Sequence, residues 1–220
     1  MNIPLQNWSR RRKLIGALVV SAAILCVIFV WAVGGVLIAP ANQPVGQPPA
    51  NLHARSVEFS SGSGATLHGW LVPGRPGKGA VILMHGVHAN RWVMAARAEF
   101  LARAGYSVLL FDFQGHGESI GKTITFGFLE SRDATAAVKF VRENLPGEKI
   151  GVIGVSLGAA SALLAQPPLP VSALVLESSY PTIYQAAEDR LAMRFGFLGK
   201  LATPLLFCQL KPRLGIGGMI

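Results

Sequence analysis

The feature that most constrains this chain is a stretch of 26 residues without a formal charge, from Leu14 to Ala39. It reads LIGALVVSAAILCVIFVWAVGGVLIA, so a helix built from it would be apolar on nearly every face. About 20 apolar residues in a helix cross the roughly 30 Å hydrocarbon layer of a bilayer. A buried helix of a globular domain rarely stays apolar on all faces for so long. The sequence therefore predicts a transmembrane anchor over residues 14–39.

A cleavable signal peptide is the alternative interpretation of the same segment. The apolar core of a signal peptide is usually about 7–15 residues long, which is shorter than this run and favours an uncleaved anchor. The small residues of IAPA, which end at Ala41, would nevertheless suit a cleavage site. Detection of the N-terminus in a membrane fraction distinguishes the two.

The charges that flank the apolar run predict its orientation. Arg10, Arg11, Arg12 and Lys13 precede it, and the next formal charge is Arg55. Basic flanking segments stay in the cytoplasm, so residues 1–13 are predicted to be a basic cytoplasmic tail, with the rest of the chain on the outer (periplasmic or extracellular) side. The chain has a net charge of +9, but its other cations are scattered. Membrane lipid, contacted through the N-terminal helix, is therefore the expected partner, and nucleic acid is not.

Beyond the apolar run, the chain divides into a linker and a domain. Residues 40–54 are Pro-rich, carry no Lys, Arg, Asp or Glu, and predict an extended linker. From residue 55 onward, apolar β-rich segments alternate with helical patterns, which indicates an α/β domain with a mostly parallel sheet and flanking helices. The predicted strands cover residues 56–60, 66–73, 80–86, 106–113, 149–156 and 171–179. The predicted helices cover residues 92–104, 127–145, 157–166 and 186–194, and no period is clear from Phe195 onward.

Ser156 is the candidate nucleophile. It lies in the sequence Gly-Val-Ser-Leu-Gly over residues 154–158, which matches G-x-S-x-G and falls between a predicted strand and a predicted helix. At such a bend the hydroxyl is exposed and its neighbours must be small. The N–H of Leu157, in the first turn of the helix, can then point at a developing oxyanion.

Four ordered segments resemble the α/β-hydrolase family, in particular its serine aminopeptidase-like and monoacylglycerol-lipase-like members. They are LMHGVHAN, FDFQGHGES, GVSLG and LVLESSYPTI, which follow or end the third to sixth predicted strands. The resemblance implies an α/β-hydrolase fold and hydrolysis through an acyl-enzyme on Ser156. It implies the N–H of Val87 as the second oxyanion donor. It further implies roles in supporting the motifs for His85, Gly86, Gly154, Gly158, Asp112 and His116.

The sequence does not show the usual general base for Ser156. The family orders its triad as Ser, then Asp or Glu, then His, but no histidine follows His116 in this sequence. The acidic residues after Ser156 are Glu177, Glu188 and Asp189, and Glu177 is interpreted as structural. His88 is the candidate substitute base, because it is expected to lie nearer the pocket than the other histidines.

These observations predict an incomplete hydrolase domain over residues 55–220. We expect it to lack the C-terminal strands with the triad acid and histidine, to leave the strand 171–179 at the sheet edge, and to enter a lid region at about residue 180. The predicted function is that of a membrane-anchored serine hydrolase, in truncated form, acting on a small-molecule ester, a lipid or a peptide. A non-catalytic, hydrolase-like membrane protein with a binding or scaffold role is the alternative.

No cofactor or metal is expected. The strand-turn-helix around Ser156 has no second phosphate-cradling glycine pattern. Cys26 and Cys208 are the only cysteines, and no Cys/His spacing typical of a metal site occurs.

Overall fold

The computed structural model describes residues 5–214. These fall into two compact units, one of residues 38–186 and one that combines residues 5–37 with residues 187–214. The first four residues of the predicted cytoplasmic tail and the last six of the predicted domain lie outside the described residues.

The described residues form helices and one main sheet. The helices are α1 (Leu5–Ile38), α2 (Ala95–Arg103), α3 (Glu130–Asn144), α4 (Leu157–Leu163), α5 (Ile183–Phe195) and α6 (Phe197–Leu214). The strands of the sheet are β1 (Arg55–Ser60), β2 (Thr66–Val72), β3 (Ala80–Met84), β4 (Ser107–Phe111), β5 (Ile150–Val155) and β6 (Ala173–Glu177). Short 3-10 turns cover Ala50–Leu52 and Arg91–Met94, and residues 41–42 pair with residues 116–117.

The sheet has the strand order β1-β2-β4-β3-β5-β6. The pairs among β3, β4, β5 and β6 are parallel, whereas β1–β2 and β2–β4 are antiparallel. Helices α2, α3 and α4 connect or follow the parallel strands, as expected for crossover connections. The predicted α/β fold with a mostly parallel sheet is confirmed.

Both faces of the sheet are buried, which explains why the central strands are apolar at every position. In β3, Ile82 and Met84 belong to the apolar cluster that includes Ala134 and Ala137 of α3. The alternate residues Val81 and Leu83 belong to a second cluster, with Trp70, Leu110 and Ala98. This period of two places the two faces of each central strand in separate cores.

The helices differ from the sequence prediction at their ends. The predicted helix 92–104 begins as the 3-10 turn Arg91–Met94 and ends before Gly105, whose φ is +94°. The predicted helix 127–145 starts three residues later, since Gly127 has a φ of +114°. Residues 197–214, for which no element was predicted, form α6.

One helix of the described residues, Arg10–Ile38, is long and apolar enough to cross a membrane, with a mean hydropathy of 2.8 in its most apolar window. Residues 10–29 of α1 are solvent-exposed on all sides. A signal sequence near the N-terminus can satisfy the same criteria of length and composition, so this finding does not distinguish the two interpretations.

Candidate active site

Ser156 occupies the turn between β5 and α4 in a conformation that few serines adopt. Its φ is +51° and its ψ is −105°. Such backbone angles cost about 1–3 kcal/mol and persist only where the surroundings enforce them. Two hydrogen bonds do so: the Ser156 N–H donates to the Glu177 carbonyl at 2.9 Å, and the Ser156 carbonyl accepts from Ala160 N–H at 2.9 Å.

The two glycines of the motif permit close packing around this turn. A Cβ at Gly154 would lie 2.6 Å from the Gly158 backbone, and a Cβ at Gly158 would lie 2.4 Å from the Met84 carbonyl oxygen. Real Cβ atoms do not approach backbone so closely. Gly154 and Gly158 therefore let α4 start directly against β5 and β3.

The loop after β3 lies beside the serine. A Cβ at Gly86 would be 3.7 Å from the Ser156 Cβ, which is ordinary van der Waals contact. Among the described residues, no hydrogen bond to a backbone acceptor is made by the N–H of Val87 or of Leu157. Both predicted oxyanion donors thus belong to backbone segments that meet at Ser156.

His85 fixes the orientation of the peptide that carries one of these donors. The Phe113 N–H donates to His85 Nε2 at 3.2 Å, so Nδ1 carries the proton and donates to the Gly86 carbonyl at 2.8 Å. The C=O and N–H of a trans peptide point in opposite directions. This bond therefore turns the Val87 N–H away from His85.

His85 is neutral in this position. Complete burial, together with the nearby His116, lowers the pKa of His85 to about 3. The ring of His116 stacks edge-on against it, with the centroids 5.2 Å apart. Burial also lowers the pKa of His116, whose Nδ1 lies 3.0 Å from the Gln114 carbonyl. Each ring is thus hydrogen-bonded to backbone in a loop beside the sheet.

Asp112 organises the loop after β4 through a buried ion pair. Its carboxylate accepts hydrogen bonds from the Arg91 N–H at 2.6 Å, from the Arg91 guanidinium and from the Glu118 N–H at 3.0 Å. Burial nevertheless raises the pKa of Asp112. A Cβ at Gly117, whose φ is +49°, would lie 2.2 Å from this carboxylate, so glycine at this position leaves room for it.

Glu118 completes this network. Burial alone would raise the pKa of Glu118, but hydrogen bonds from Arg91 and from the N–H groups of Val45 and Gly46 outweigh it and lower the pKa to about 2. Sequence reasoning missed Arg91 and Glu118. In the sequence Arg91 is only a charge directly after HGVHAN and Glu118 a charge within GHGES, and a fold is needed to bring the two segments together.

The remaining candidates are placed as follows. His88 is exposed, directly follows Val87 and has a φ of +56°. The Ser156 hydroxyl donates no hydrogen bond to a histidine within residues 5–214. Glu177 ends β6 and forms a two-pronged pair with Arg97, at 2.7 and 2.6 Å. Glu188 and Asp189 lie on α5.

A metal centre has no support in the part of the chain that the structure describes. No group of three or more His, Cys, Asp or Glu side chains there could hold a metal ion.

Comparison with protein families adds the deciding observation. Residues 75–211 match the family profile described as serine aminopeptidase, S33. The chain belongs to this α/β-hydrolase family. Hydrolase activity is therefore the activity of its family, and the match includes the β3, β4, β5 and β6 segments described above.

Sequence relatives agree with this family. YfhR of Salmonella typhimurium, an uncharacterised protein, is 33% identical over 134 residues, which cover 57% of this chain and 44% of YfhR. An uncharacterised protein of Mycobacterium tuberculosis is 34% identical over 173 residues, or 76% of this chain and 60% of that protein. The α/β-hydrolase domain-containing protein WAV2 of Arabidopsis thaliana is 28% identical, over 87% of this chain and 65% of WAV2. The chain thus spans 44–65% of the length of these relatives.

Solved structures show the same fold. The esterase Pf2001 of Pyrococcus furiosus is 30% identical, with a TM-score of 0.61 over 75% of this chain and 69% of the esterase. A thermostable carboxyl esterase of Bacillus coagulans, solved with glycerol, is 20% identical with a TM-score of 0.53, and this likeness concerns the fold alone.

Proposed function

We propose that this protein is a membrane-anchored serine hydrolase that cleaves an ester or amide bond through an acyl-enzyme on Ser156. The observation that carries the proposal is the turn at Ser156, with a φ of +51° between β5 and α4 and with Gly86 so near that a Cβ there would lie 3.7 Å from the Ser156 Cβ. Few reasons other than presentation of the hydroxyl account for a strained serine there.

In this proposal, Ser156 Oγ attacks the carbonyl carbon of the substrate, and its proton passes to a base. The N–H groups of Val87 and Leu157 donate to the oxyanion of the tetrahedral intermediate. The leaving alcohol or amine takes up the proton, the acyl-enzyme remains, and water then hydrolyses it. His85 acts only by holding the Gly86–Val87 peptide, because burial keeps its pKa near 3.

His88 is our candidate base among the residues of this sequence. His85 and His116 are buried and bound to backbone atoms, His53 follows the Ala50–Leu52 turn, and His68 lies 3.4 Å from Glu58 in the outer hairpin. His88 is exposed and adjacent to Val87. Without an activating base, a serine hydroxyl is a weak nucleophile. The rate at which Ser156 attacks the substrate therefore depends on this base.

The domain layout forms part of the proposal. Residues 1–13 are a cytoplasmic tail, residues 14–39 an uncleaved single-pass anchor, residues 40–54 a linker, and the hydrolase domain begins at residue 55 on the outer side of the membrane. The exposed, apolar surface of α1 over residues 14–29 supports an anchor. The substrate class is a small-molecule ester, a lipid or a peptide, in line with the esterase activity that the name of the Pyrococcus relative gives to that protein.

A fluorophosphonate probe tests the nucleophile in detergent-solubilised protein. We expect the unmodified protein to be labelled, Ser156→Ala to lose the label, and Ser172→Ala, which changes an exposed serine before β6, to keep it. His88→Asn should slow labelling, since asparagine tolerates the positive φ but cannot act as a base. Labelling that survives Ser156→Ala would contradict the proposal.

A non-catalytic binding or scaffold role is the second candidate. It is favoured by one observation: within residues 5–214 the Ser156 hydroxyl donates no hydrogen bond to a histidine. Under this alternative the folded, monodisperse protein is not labelled, and Ser156→Ala changes neither its stability nor its binding of a lipid or peptide.

A further inference from the structure

Helix α6 docks on the C-terminal half of α1 through specific contacts. Gln209 Nε2 donates to the Val30 carbonyl at 2.6 Å. A Cβ at Gly34 would lie 2.4 Å from the Gln209 side chain, so glycine at this position permits the approach. Arg213 donates to the Trp31 carbonyl at 2.7 Å, and its guanidinium carbon lies 3.9 Å from the centre of the Trp31 ring.

The inner face of α6 carries the small and polar residues of the helix. Its buried positions are Gly199, Thr203, Leu206, Gln209 and Leu210. Thr203 Oγ1 is satisfied within the helix, since it donates to the Gly199 carbonyl at 3.0 Å. Small residues and hydrogen-bonded polar residues at a helix contact are typical of helices that associate in lipid.

The outer face of α6 is apolar instead of polar. Phe197 and Leu198 are 73% and 71% exposed, and Leu201 and Leu205 are each 55% exposed. A surface helix in water shows the opposite arrangement, with polar residues outside. A contiguous exposed apolar face of this kind marks an interaction surface.

Continuity with α1 indicates what covers this face. Both helices belong to one compact unit, and α1 is exposed on every side over residues 10–29. The medium around the C-terminal half of α1 therefore also surrounds the outer face of α6.

We propose that α6 is immersed in the half of the bilayer that holds the C-terminal part of α1, with Phe197, Leu198, Leu201 and Leu205 against acyl chains. This inference rests on the proposed membrane anchoring by α1. Helix α6 does not form a second span, because among the described helices only α1 is long and apolar enough to cross. Lys200 and Arg213 are long enough to place their charges at the interface.

Thiol accessibility in membranes tests the proposal, because the chain has only two cysteines. In a Cys26→Ala variant the remaining thiol is Cys208, which is exposed on α6. In opened vesicles, a water-soluble maleimide should label Cys208 on the order of tenfold more slowly than after denaturation in SDS, because the reagent does not reach a thiol that is surrounded by hydrocarbon. The control is Lys139→Cys in a chain without native cysteines, since Lys139 is 75% exposed on α3. It should react equally fast in both states.

A second readout separates lipid from protein cover. Cys208 is labelled with bimane in detergent, and the labelled protein is then reconstituted into vesicles of bromine-labelled phosphatidylcholine. The brominated lipid should quench the fluorescence of bimane on Cys208 but not that of bimane on the Lys139→Cys variant. Protection of Cys208 without quenching means that a second copy or another polypeptide covers α6, and overturns the proposal.

Alkaline carbonate extraction shows which claim has failed. If the chain resists extraction while Cys208 reacts as fast as the Lys139→Cys control, the α1 anchor is supported and the immersion of α6 is wrong. If carbonate releases the chain, both the anchor and the immersion are wrong. Fluorophosphonate labelling of Ser156 is scored separately, so the serine mechanism stands or fails independently.

Discussion

The Ser156 N–H donates a hydrogen bond to the Glu177 carbonyl at 2.9 Å, while the Glu177 carboxylate is paired with Arg97. The candidate nucleophile is thus tied to the end of β6, and β6 is tied to α2. Backbone strain at Ser156 is held by the sheet itself, whereas the side chain of Glu177 is engaged away from it.

Replacement of Glu177 by glutamine should leave the pH profile of fluorophosphonate labelling unchanged, because the carboxylate is committed to Arg97. Both side chains are well exposed, at 38% and 42%. The pair should therefore contribute only about 0–1 kcal/mol to the free energy of unfolding. A double-mutant cycle of Glu177→Gln and Arg97→Gln, followed by urea unfolding, measures this coupling. Loss of an ionisation from the labelling profile in Glu177→Gln would instead make Glu177 the acid of the site.

Replacement of Gly158 by alanine should displace α4 from β3. The added Cβ would meet the Met84 carbonyl at 2.4 Å, and overpacking of this kind costs about 1–3 kcal/mol. We expect a lower urea midpoint and loss of probe labelling. Gly151→Ala on β5 is the matched control, since its Cβ would lie 3.9 Å from Ala173; equal effects of the two variants would rule out close packing as the cause.

The strands could be predicted from the sequence because the central ones are buried on both faces. AVILM is apolar at every position and SVLLF at every position after Ser107, and both lie in the sheet as predicted. Helix α6 could not be predicted from periodicity. Its outer face is apolar and its inner face mixes leucines with small and polar residues, so the usual pattern of an apolar inner and a polar outer face is missing.

The candidate site was predictable only in part. GVSLG identifies the turn through the small residues that it needs, and the structure places Gly86 beside it. The Arg91–Asp112–Glu118 network was missed, because its members come from two loops that meet only after β3 and β4 have paired. Charged residues in loops give no periodic signal, even where the fold buries them, as it does Arg91 and Asp112.

Replacement of His85 by alanine should lower both stability and labelling rate. The buried Phe113 N–H would lose its acceptor, at about 1–3 kcal/mol, and the Gly86–Val87 peptide would lose its restraint. His85→Asn should recover part of the labelling rate, since its amide can donate to the Gly86 carbonyl. Urea unfolding and fluorophosphonate kinetics measure the two effects. Equal labelling rates in both variants would show that His85 does not position the oxyanion donor.

Replacement of Asp133 by asparagine should change how stability depends on pH. Burial raises the pKa of Asp133 to about 6 from 3.8, despite hydrogen bonds from Ser61 and from the Gln114 N–H. Between these two values the folded state binds more protons than the unfolded state, so Asp133 makes stability fall as pH rises. The variant, which keeps one acceptor and gains a donor, should therefore gain stability relative to the unmodified protein from pH 4 to 7.

Urea midpoints at several pH values test this difference. His85 has a lowered pKa and so makes stability rise with pH over a similar window, but it contributes equally to both proteins. Asp189→Asn, at an exposed position on α5, is the control. A constant difference between Asp133→Asn and the unmodified protein across this range would refute the assignment.

Replacement of Val175 by lysine should reduce self-association. Within the described residues β6 pairs only with β5, and Leu174 and Val175 are 40% and 48% exposed. An apolar edge strand is a template for pairing with another chain, and a lysine there opposes it. Sedimentation velocity in detergent over a range of protein concentrations should show less oligomer for Val175→Lys. Ile120→Lys removes an even more exposed apolar side chain, 72% exposed, outside the sheet. If both variants reduce oligomers alike, general surface hydrophobicity rather than the β6 edge drives the association.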